Sequence, residues 1–478
     1  MNKWKKTIIS ILTLLSVVFG CVTILNAQET WRVDAVKLQE SKKLFDDPRH
    51  YITEYPPSAI IPPKSYSDLT YDVPTMKNKM EDLVGFKAQD KVGKIAPEIK
   101  PGKYSYKDKD KYPGIKKLMI PLEYRRWNPG VPPLGFNFPE FEIVPTKQVA
   151  FSLPLIEAAL KNEGKAKLDD SGYILVETQE PGLPFPKPSG KFKAQQIIYN
   201  LQNSNTIGDS YHGYARGRTW DRKFKVISRF MQEISFLKLS DRVTPPIGDF
   251  DERARERGEK VATKVKFLAP RDSYGDVYFD IFREAAEDLT YNYIWLQSMR
   301  KFRKLSGGDT QDTKPGSTVI FEDGRDFGQK LSPIRFPYEY KLIDEREFLV
   351  PTYSSDGAEY MKREGLEWHN VRLERRPCYV IEVKQLDSSF VYGKRLIYID
   401  QETFQCTAIF NFDQKGRLWR GYSPVYIYLE KLGLIGPYYT ANWDYLDEQS
   451  EFGMTYGIPV PWLGRKEMSI GGIKKTAK

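Results

Sequence analysis

The chain has 478 residues, of which 40% are hydrophobic and 28% are charged. These proportions are typical of folded globular proteins, so the composition excludes a wholly disordered chain. Aromatic residues make up 14%, and because aromatic side chains favour strands and apolar cavities, they indicate β-structure. The formal net charge of +10 is spread over runs of mixed sign, which are typical of solvated surfaces, so we do not expect nucleic-acid binding.

The first segment, residues 1–27, has the pattern of an export signal. Three lysines precede an uncharged apolar run at Thr7–Leu25, and the small residue Ala27 lies where a signal peptidase would cut. We therefore expect export to the periplasm through a cleaved signal. The apolar run is also long enough to span a bilayer, so a retained membrane anchor is an alternative, and lipidation at Cys21 is another.

Residues 28–145 contain many prolines, including the clusters Tyr55-Pro56-Pro57 and Val131-Pro132-Pro133. Proline at this density disfavours helix interiors and central strands. We expect an irregular, Pro-rich N-terminal arm that wraps over a core, and short helices fit near residues 32–46 and 75–84.

The chain beyond the arm predicts helices first and strands afterwards. Apolar residues follow the helical period in Leu153–Asn162 and in Lys193–Asn203. From Phe224 onwards the period is mainly two, as in Lys260–Leu268. Short loops between consecutive strands predict an antiparallel meander, with more than seven strands between residues 216 and 428.

Two cysteines, Cys378 and Cys406, follow the predicted signal. In a simple meander their strands lie two places apart, at roughly 9 to 10 Å. A disulfide needs Cα atoms within about 7 Å. We therefore expect two free thiols, although two cysteines in an exported protein would otherwise suggest a disulfide.

Motifs that carry catalytic or metal chemistry are missing from the sequence. It contains no HExxH, CxxC, P-loop or GxGxxG pattern. Gly208-Asp209-Ser210 followed by His212 resembles part of an esterase signature, but histidine stands where the nucleophile elbow needs glycine. We expect a polar loop there, and no catalytic residue, metal or cofactor. A hydrolase using Ser210 and His212 is the alternative.

Two sets of aromatic residues are candidates for a ligand cavity. Phe404, Phe410 and Phe412 alternate with more polar residues along one predicted strand, and Tyr291, Tyr293 and Trp295 share a face of another. We expect both sets to be buried, either lining a cavity or packing against the helices as core. The basic run Met299–Lys304 contains Arg300 and Arg303, which either lie in solvent at a strand end or contact a ligand head group.

Several of these segments together resemble a bacterial family of exported proteins. The segments are Tyr293-Ile294-Trp295-Leu296 with the basic run after it, the loop Phe321–Gly328, and Tyr392-Gly393-Lys394-Arg395 with Tyr398–Thr403. The family is catalogued as a domain of unknown function and is often labelled outer membrane lipoprotein-sorting protein. The resemblance extends from about residue 145 to about residue 428.

This resemblance implies a fold similar to that of the periplasmic lipoprotein carrier and its outer-membrane receptor. That fold is mainly β (α+β), a strongly curved antiparallel sheet that forms an unclosed half-barrel with plug helices on its concave face. We accordingly divide the chain into the signal (1–27), the arm (28–145), the half-barrel domain with plug helices (146–435) and a C-terminal extension (436–478).

The same resemblance implies a function and partners. The lipoprotein carrier holds acyl chains between sheet and plug, and members of the family are often found beside exporters of the resistance-nodulation-division superfamily. We expect a non-enzymatic periplasmic binding or carrier protein for a lipid or other hydrophobic molecule, working with an inner-membrane exporter of that type. The alternative is a structural or assembly factor that contacts the outer membrane.

Overall fold

The computed structural model describes residues 32–33, 36, 60–61, 70–130, 137–204, 207–285, 287–305, 311, 317, 319–320, 323, 331, 337–353, 362–364, 367–459 and 463–476. The predicted signal at residues 1–27 lies outside the described residues, as does most of the predicted helix near residues 32–46. None of the described helices is long and apolar enough to cross a membrane.

The described chain is mainly β-structure with short helices. The strands are β1 (Arg32–Val33), β2 (Ile60–Ile61), β3 (Gly102–Ser105), β4 (Glu140–Val144), β5 (Ser210–Trp220), β6 (Val226–Lys238), β7 (Glu259–Ala269), β8 (Val277–Arg283), β9 (Tyr291–Leu296), β10 (Lys301–Lys304), β11 (Tyr338–Pro351), β12 (Lys362–Glu364), β13 (Glu367–His369), β14 (Arg372–Gln385), β15 (Tyr392–Asp400), β16 (Cys406–Asp413), β17 (Leu418–Leu429), β18 (Leu434–Asp444) and β19 (Gln449–Pro459). The α-helices are α1 (Val73–Val84), α2 (Gly114–Leu118), α3 (Pro121–Arg126), α4 (Leu153–Lys161), α5 (Lys193–Asn203), α6 (Glu252–Arg257) and α7 (Ile470–Thr476).

Local sequence signals explain where the longer helices begin and end. At the start of α1, the carboxylate of Asp72 accepts a hydrogen bond from the backbone N–H of Thr75 at 2.9 Å, which satisfies one of the free donors of the first turn. The helix ends at Gly85, whose φ of 85° lies in the left-handed region that glycine adopts without strain. The helices predicted at Leu153–Asn162 and Lys193–Asn203 are present as α4 and α5.

One sheet of fifteen strands organises the molecule. The order is β10-β9-β8-β7-β6-β5-β19-β18-β17-β16-β15-β14-β4-β3, with β11 paired to β14 beside this path. Neighbours in the path are antiparallel except β4, which runs parallel to β14. The sheet is curved and unclosed, and helices pack on one face, so the predicted half-barrel fold is confirmed.

The two faces of the sheet have different covers. One face, here called the helix face, packs against α1, α4 and α5 through side chains such as Met80, Ile156 and Ile197, which meet Ile381 and Ile399 of the sheet. The opposite face, here called the arm face, is covered in two places. The arm segment (residues 88–130 and 137–149) covers β14 to β19, and residues 463–476 cover β6 to β9.

The predicted domain boundaries at residues 145 and 435 fall inside the sheet. Strand β4 precedes the first boundary and pairs with β14. It forms a strand because Phe141 and Ile143 alternate with polar residues in a proline-free stretch. Strand β19 follows the second boundary and pairs with both β18 and β5. Residues 436–459 therefore join the two halves of the sheet and are not an extension of it.

Cys378 and Cys406 are both buried and free. Strand β15 lies between their strands, as the meander argument requires. Cys378 packs on the arm face and Cys406 on the helix face. The prediction of two free thiols is confirmed.

A buried ion-pair cluster of the sheet forms hydrogen bonds with the backbone of the arm segment. Arg376 is fully buried, and its Nε donates to Asp400 Oδ2 at 2.6 Å while its Nη2 donates to Glu402 Oε2 at 2.8 Å. Its Nη1 donates to the backbone oxygen of Lys147 at 2.6 Å. Because a buried guanidinium needs both counter-charge and hydrogen-bond acceptors, this cluster holds the end of the arm segment in one position.

The carboxylates of this region also accept hydrogen bonds from arm backbone. Glu402 accepts from the N–H of Ala88 at 3.1 Å and from that of Val149 at 2.9 Å. Glu347 accepts from the N–H of Gly93 at 2.7 Å and from that of Ile95 at 2.6 Å. The arm segment is therefore held by charge-assisted hydrogen bonds, which are stronger than neutral ones.

A pH dependence of stability follows from Glu374, which lies beside this cluster with its Oε1 3.5 Å from Arg376 Nη1. Burial raises the pKa of Glu374 to about 7, from an ordinary value of 4.5. Between pH 4.5 and pH 7 the folded protein keeps a proton on Glu374 that the unfolded chain releases. The stabilising contribution of this protonated carboxyl is therefore fully present below pH 4.5 and is lost as the pH rises towards 7.

We therefore expect Glu374→Gln to flatten the decrease in the free energy of unfolding between pH 5 and pH 8, by up to about 3 kcal/mol. Urea denaturation across this range would measure the effect. Glu339→Gln is the control, because the side chain of Glu339 is 63% exposed. Parallel pH profiles for wild type and Glu374→Gln would contradict the prediction.

Candidate functional site

The predicted aromatic face of β16 is divided between the two faces of the sheet. In the pairing of β15 with β16, Tyr398 lies opposite Ala408 and Ile399 lies opposite Cys406, so Thr407 is an extra residue. This β-bulge reverses which residues point to which face. Phe404 packs on the helix face, whereas Phe410 and Phe412 lie on the arm face. The expectation that all three share one face is wrong for Phe404.

The second predicted set, on β9, does share one face. Tyr291, Tyr293 and Trp295 belong to a cluster on the arm face that includes residues of the segment 463–476. Trp295 is buried, and its ring lies 5.1 Å from that of Phe302. The indole Nε1 donates to Gln297 Oε1 at 2.9 Å. These rings pack as core against the C-terminal segment, and not against the plug helices as expected.

Arg300 and Arg303 lie in the hairpin of β9 and β10, at one edge of the sheet. Both side chains are exposed, and the φ of Arg300 is 50°, as suits a tight turn. Neither residue lines the pocket described below. Contact of these arginines with a ligand head group stays a prediction.

An apolar pocket lies between the arm segment and the arm face of the sheet, and is here called the arm pocket. Its empty volume is about 630 Å³, including the part open to solvent. It is lined by Met119, Ile120, Glu123, Arg126, Phe138, Leu349, Pro351, Trp368, Val371, Leu373, Thr407, Ser423, Val425, Ala441 and Phe452.

The floor of the arm pocket is a row of cross-strand neighbours. Ser423 pairs with Ala441, and Ala441 pairs with Phe452, so the three side chains point to the same face. Small residues at two of these positions leave space above the sheet. Trp368 closes one side, with its ring 4.8 Å from that of Phe452. The pocket therefore has a floor of two small side chains and one aromatic ring, and an aromatic wall.

The roof carries the charged residues of the pocket. Glu123 and Arg126 are one helical turn apart on α3 and form an ion pair. The guanidinium of Arg126 also lies over the ring of Trp443, 4.6 Å from its centroid. Glu123 Oε1 is buried without a hydrogen-bond partner among the described residues. The pocket thus presents a fixed, nearly neutral polar pair against walls that are mainly apolar, with the hydroxyl residues Thr407 and Ser423 among them.

The segment with Ser210 and His212 is a strand and not the expected polar loop, because it begins β5. The Nδ1 of His212 lies 3.0 Å from the hydroxyl oxygen of Ser235 on β6, and its Nε2 lies 3.8 Å from Glu233 Oε1. Ser235 is fully buried, so a substrate has no access to its hydroxyl. Burial lowers the pKa of His212, which favours its neutral form.

The described residues contain no group of three or more histidine, cysteine, aspartate or glutamate side chains placed to hold a metal ion. The arm pocket itself was missed by reasoning from the sequence. A usable signal was the aromatic content of Trp127–Phe141, which exceeds what an irregular arm exposed to water would carry.

Several solved structures are similar to part of this chain at low sequence identity. A DUF1329 family protein from Desulfovibrio piger is 13% identical, with a TM-score of 0.41. The aligned part is 58% of this chain and 96% of the Desulfovibrio chain. A protein from Vibrio parahaemolyticus that is described as an outer membrane lipoprotein-sorting protein domain is 13% identical, with a TM-score of 0.40. The aligned part is 58% of this chain and 97% of the Vibrio chain. A LolA superfamily protein from Nitrosomonas europaea is 13% identical, with a TM-score of 0.35. The aligned part is 58% of this chain and 97% of the Nitrosomonas chain.

The family model described as "Protein of unknown function (DUF1329)" matches residues 137–455. The chain therefore belongs to this family, and the resemblance inferred from the sequence motifs is confirmed. A search of curated proteins found no match to the chain.

The packing of Phe410 makes its truncation informative. The ring is buried beside Ile120 of the arm segment and does not line the arm pocket. We expect Phe410→Ala to lower the free energy of unfolding by about 3 to 5 kcal/mol, as for a fully packed core ring. Phe412→Ala, at a half-buried position of the same strand, is the control and is expected to cost less than about 2 kcal/mol.

Urea denaturation of both variants would measure these costs. Equal costs for the two substitutions would contradict the assignment of Phe410 to the core and would indicate that its ring faces open space.

Proposed function

We propose that this protein binds a lipid or other hydrophobic molecule in the arm pocket and acts as a non-enzymatic carrier for it. The observation that carries the proposal is the pocket itself, which combines a mainly apolar lining with one polar pair in its roof. Apolar walls gain free energy by removing hydrocarbon from water, and a small number of polar groups fix the orientation of a ligand.

The charged pair defines which end of the ligand lies at the roof. Glu123 and Arg126 neutralise each other, so the pocket has no strong preference for a charged head group. The partner-free Oε1 of Glu123 favours a ligand end that donates a hydrogen bond, because an unsatisfied buried acceptor is costly. The ligand is thus an amphiphile with a small polar end and a larger apolar body.

Location and partners are part of the same proposal and rest on the sequence. The export signal predicted in residues 1–27 supports a periplasmic carrier. The family resemblance supports an inner-membrane exporter of the resistance-nodulation-division type as the membrane partner. A carrier of this kind would receive its ligand at one membrane and release it at another.

Filling the arm pocket tests the proposal. Ala441 lies on the floor and is buried, so Ala441→Leu places additional carbon atoms where the ligand would lie. We expect this variant to bind a fluorescent fatty-alcohol probe at least about tenfold more weakly than wild type, since each buried methylene contributes about 0.8 kcal/mol. Thr440→Val, whose side chain is on the opposite face of β18, should change the affinity less than about twofold.

Native mass spectrometry of protein purified from its host, followed by lipid extraction, would identify a ligand that remains bound. Failure of the wild-type protein to bind the probe, together with the absence of co-purifying lipid, would contradict the carrier proposal. That result would favour a structural or assembly role at the outer membrane.

A further inference from the structure

Three hairpin turns lie side by side at one end of the ribbon of strands β5 to β10. They join β5 to β6, β7 to β8 and β9 to β10, and in an antiparallel ribbon alternate turns share one end. With the adjoining strand residues they are here called the hairpin rim (residues 221–229, 270–276 and 297–304). Two of the turns are directly connected, because the backbone N–H of Gln297 donates to Asp276 Oδ1 at 2.8 Å.

The hairpin rim collects positive charge that is dispersed in the sequence. It contains nine basic and three acidic residues, which give it a net charge of +6, whereas the whole chain has +10. The basic residues are Arg222, Lys223, Lys225, Arg229, Arg271, Arg300, Lys301, Arg303 and Lys304. More than half of the net charge of the chain therefore lies at this end of one ribbon.

The opposite end of the same ribbon carries charge of the opposite sign. It is formed by residues 239–259 between β6 and β7, and by residues 283–285 and 287–288 between β8 and β9. These ranges contain nine acidic and five basic residues, which give a net charge of −4. The ribbon is thus polarised along its strands, and the field of such an arrangement orients the hairpin rim towards an anionic partner.

The basic side chains of the rim are available to such a partner. Arg222, Lys223 and Arg300 are exposed, and within the described part of the chain none of the three forms an ion pair. Asp221 lies beside two of them, but its Oδ1 accepts hydrogen bonds from the backbone N–H groups of Lys223 at 2.9 Å and Lys225 at 2.8 Å. This carboxylate therefore shapes the turn.

Each hairpin of the rim also exposes one large apolar side chain. Ile227 is 48% exposed, Tyr274 60% and Met299 46%. Charges on an edge strand such as β10 protect a sheet from pairing with other chains, but that role does not require apolar side chains at the turns. Apolar side chains among cations are typical of surfaces that lie in the interfacial layer of a membrane, where tyrosine is enriched at the level of the head groups.

We propose that the hairpin rim is a membrane-docking surface, whose basic side chains bind anionic phospholipid head groups while Ile227, Tyr274 and Met299 enter the acyl boundary. The inference goes beyond the carrier proposal, because it does not use the arm pocket. It gives Arg300 and Arg303 a lipid surface as their partner. An acidic protein would satisfy the charges of the rim but gives no reason for an exposed apolar side chain on each hairpin, so the lipid surface is favoured.

The experiment measures sedimentation of the exported protein with vesicles of phosphatidylcholine alone and of an equal mixture of phosphatidylcholine and phosphatidylglycerol. Wild type is expected to bind the mixed vesicles and to bind them less as salt is raised, because salt screens exposed charges. Arg222→Gln with Lys223→Gln should weaken binding at least about tenfold, since each basic residue at an anionic surface contributes about fivefold. Arg255→Gln with Arg257→Gln, which removes the same charge from exposed positions at the opposite end, should change binding less than about twofold.

Tyr274→Ser tests the apolar part of the surface and should weaken binding to the mixed vesicles at least about threefold. Its control is Ile247→Ser, because Ile247 is 72% exposed at the opposite end of the ribbon. Arg300→Gln with Lys301→Gln repeats the charge test on another turn and serves if the first double variant does not fold.

Failure of the wild type to bind the mixed vesicles would overturn the proposal. Equal losses for the double variants at the two ends of the ribbon would also overturn it, since they would reflect net charge alone. A loss confined to the charge variants, with full binding by Tyr274→Ser, would indicate an acidic protein as the partner and would overturn the assignment to lipid. These outcomes are independent of the arm pocket, which the fatty-alcohol probe tests separately.

Discussion

The burial of Arg376 is the interaction on which the arrangement of this protein depends. Removing a guanidinium from water is costly unless counter-charges and acceptors surround it, and here Asp400, Glu402 and the backbone of Lys147 do so. Glu402 in turn accepts hydrogen bonds from arm backbone at Ala88 and Val149. The charge cluster inside the sheet and the position of the arm segment are therefore one structural unit.

This unit determines where the arm pocket lies. The arm segment brings α3 over the sheet, and α3 supplies the charged pair of the arm pocket. Six residues are too few to form a stable helix alone, so α3 depends on the contacts that hold the arm segment in place. The roof of the pocket thus owes its shape to charges that lie outside it, while the floor is set by small residues of β17 and β18.

Much of the fold could be predicted from the sequence, because period-two strands and amphipathic helices are local signals. The helices α4 and α5 and the meander β14 to β16 illustrate this. The orientation of β16 could not be predicted, since the bulge at Thr407 is one additional residue that leaves the alternation of apolar residues unchanged. The arm pocket was equally hidden, because its lining extends from Met119 to Phe452 and no local pattern joins residues so distant. The architecture could thus be predicted from the sequence, whereas the arm pocket could be found only in the three-dimensional structure.

The central place of β19 has a consequence for how the chain reaches its native state. This strand is the last of the sheet to be synthesised, yet it lies between β5 and β18. The ribbon β5 to β10 and the ribbon β14 to β18 can each form from neighbouring hairpins, but they remain separate until β19 is available. Until then the edges of β5 and β18 offer unpaired backbone groups, which invite pairing with other chains. Completion of the native sheet must therefore await the synthesis of β19, after the strands of both ribbons are already available to fold.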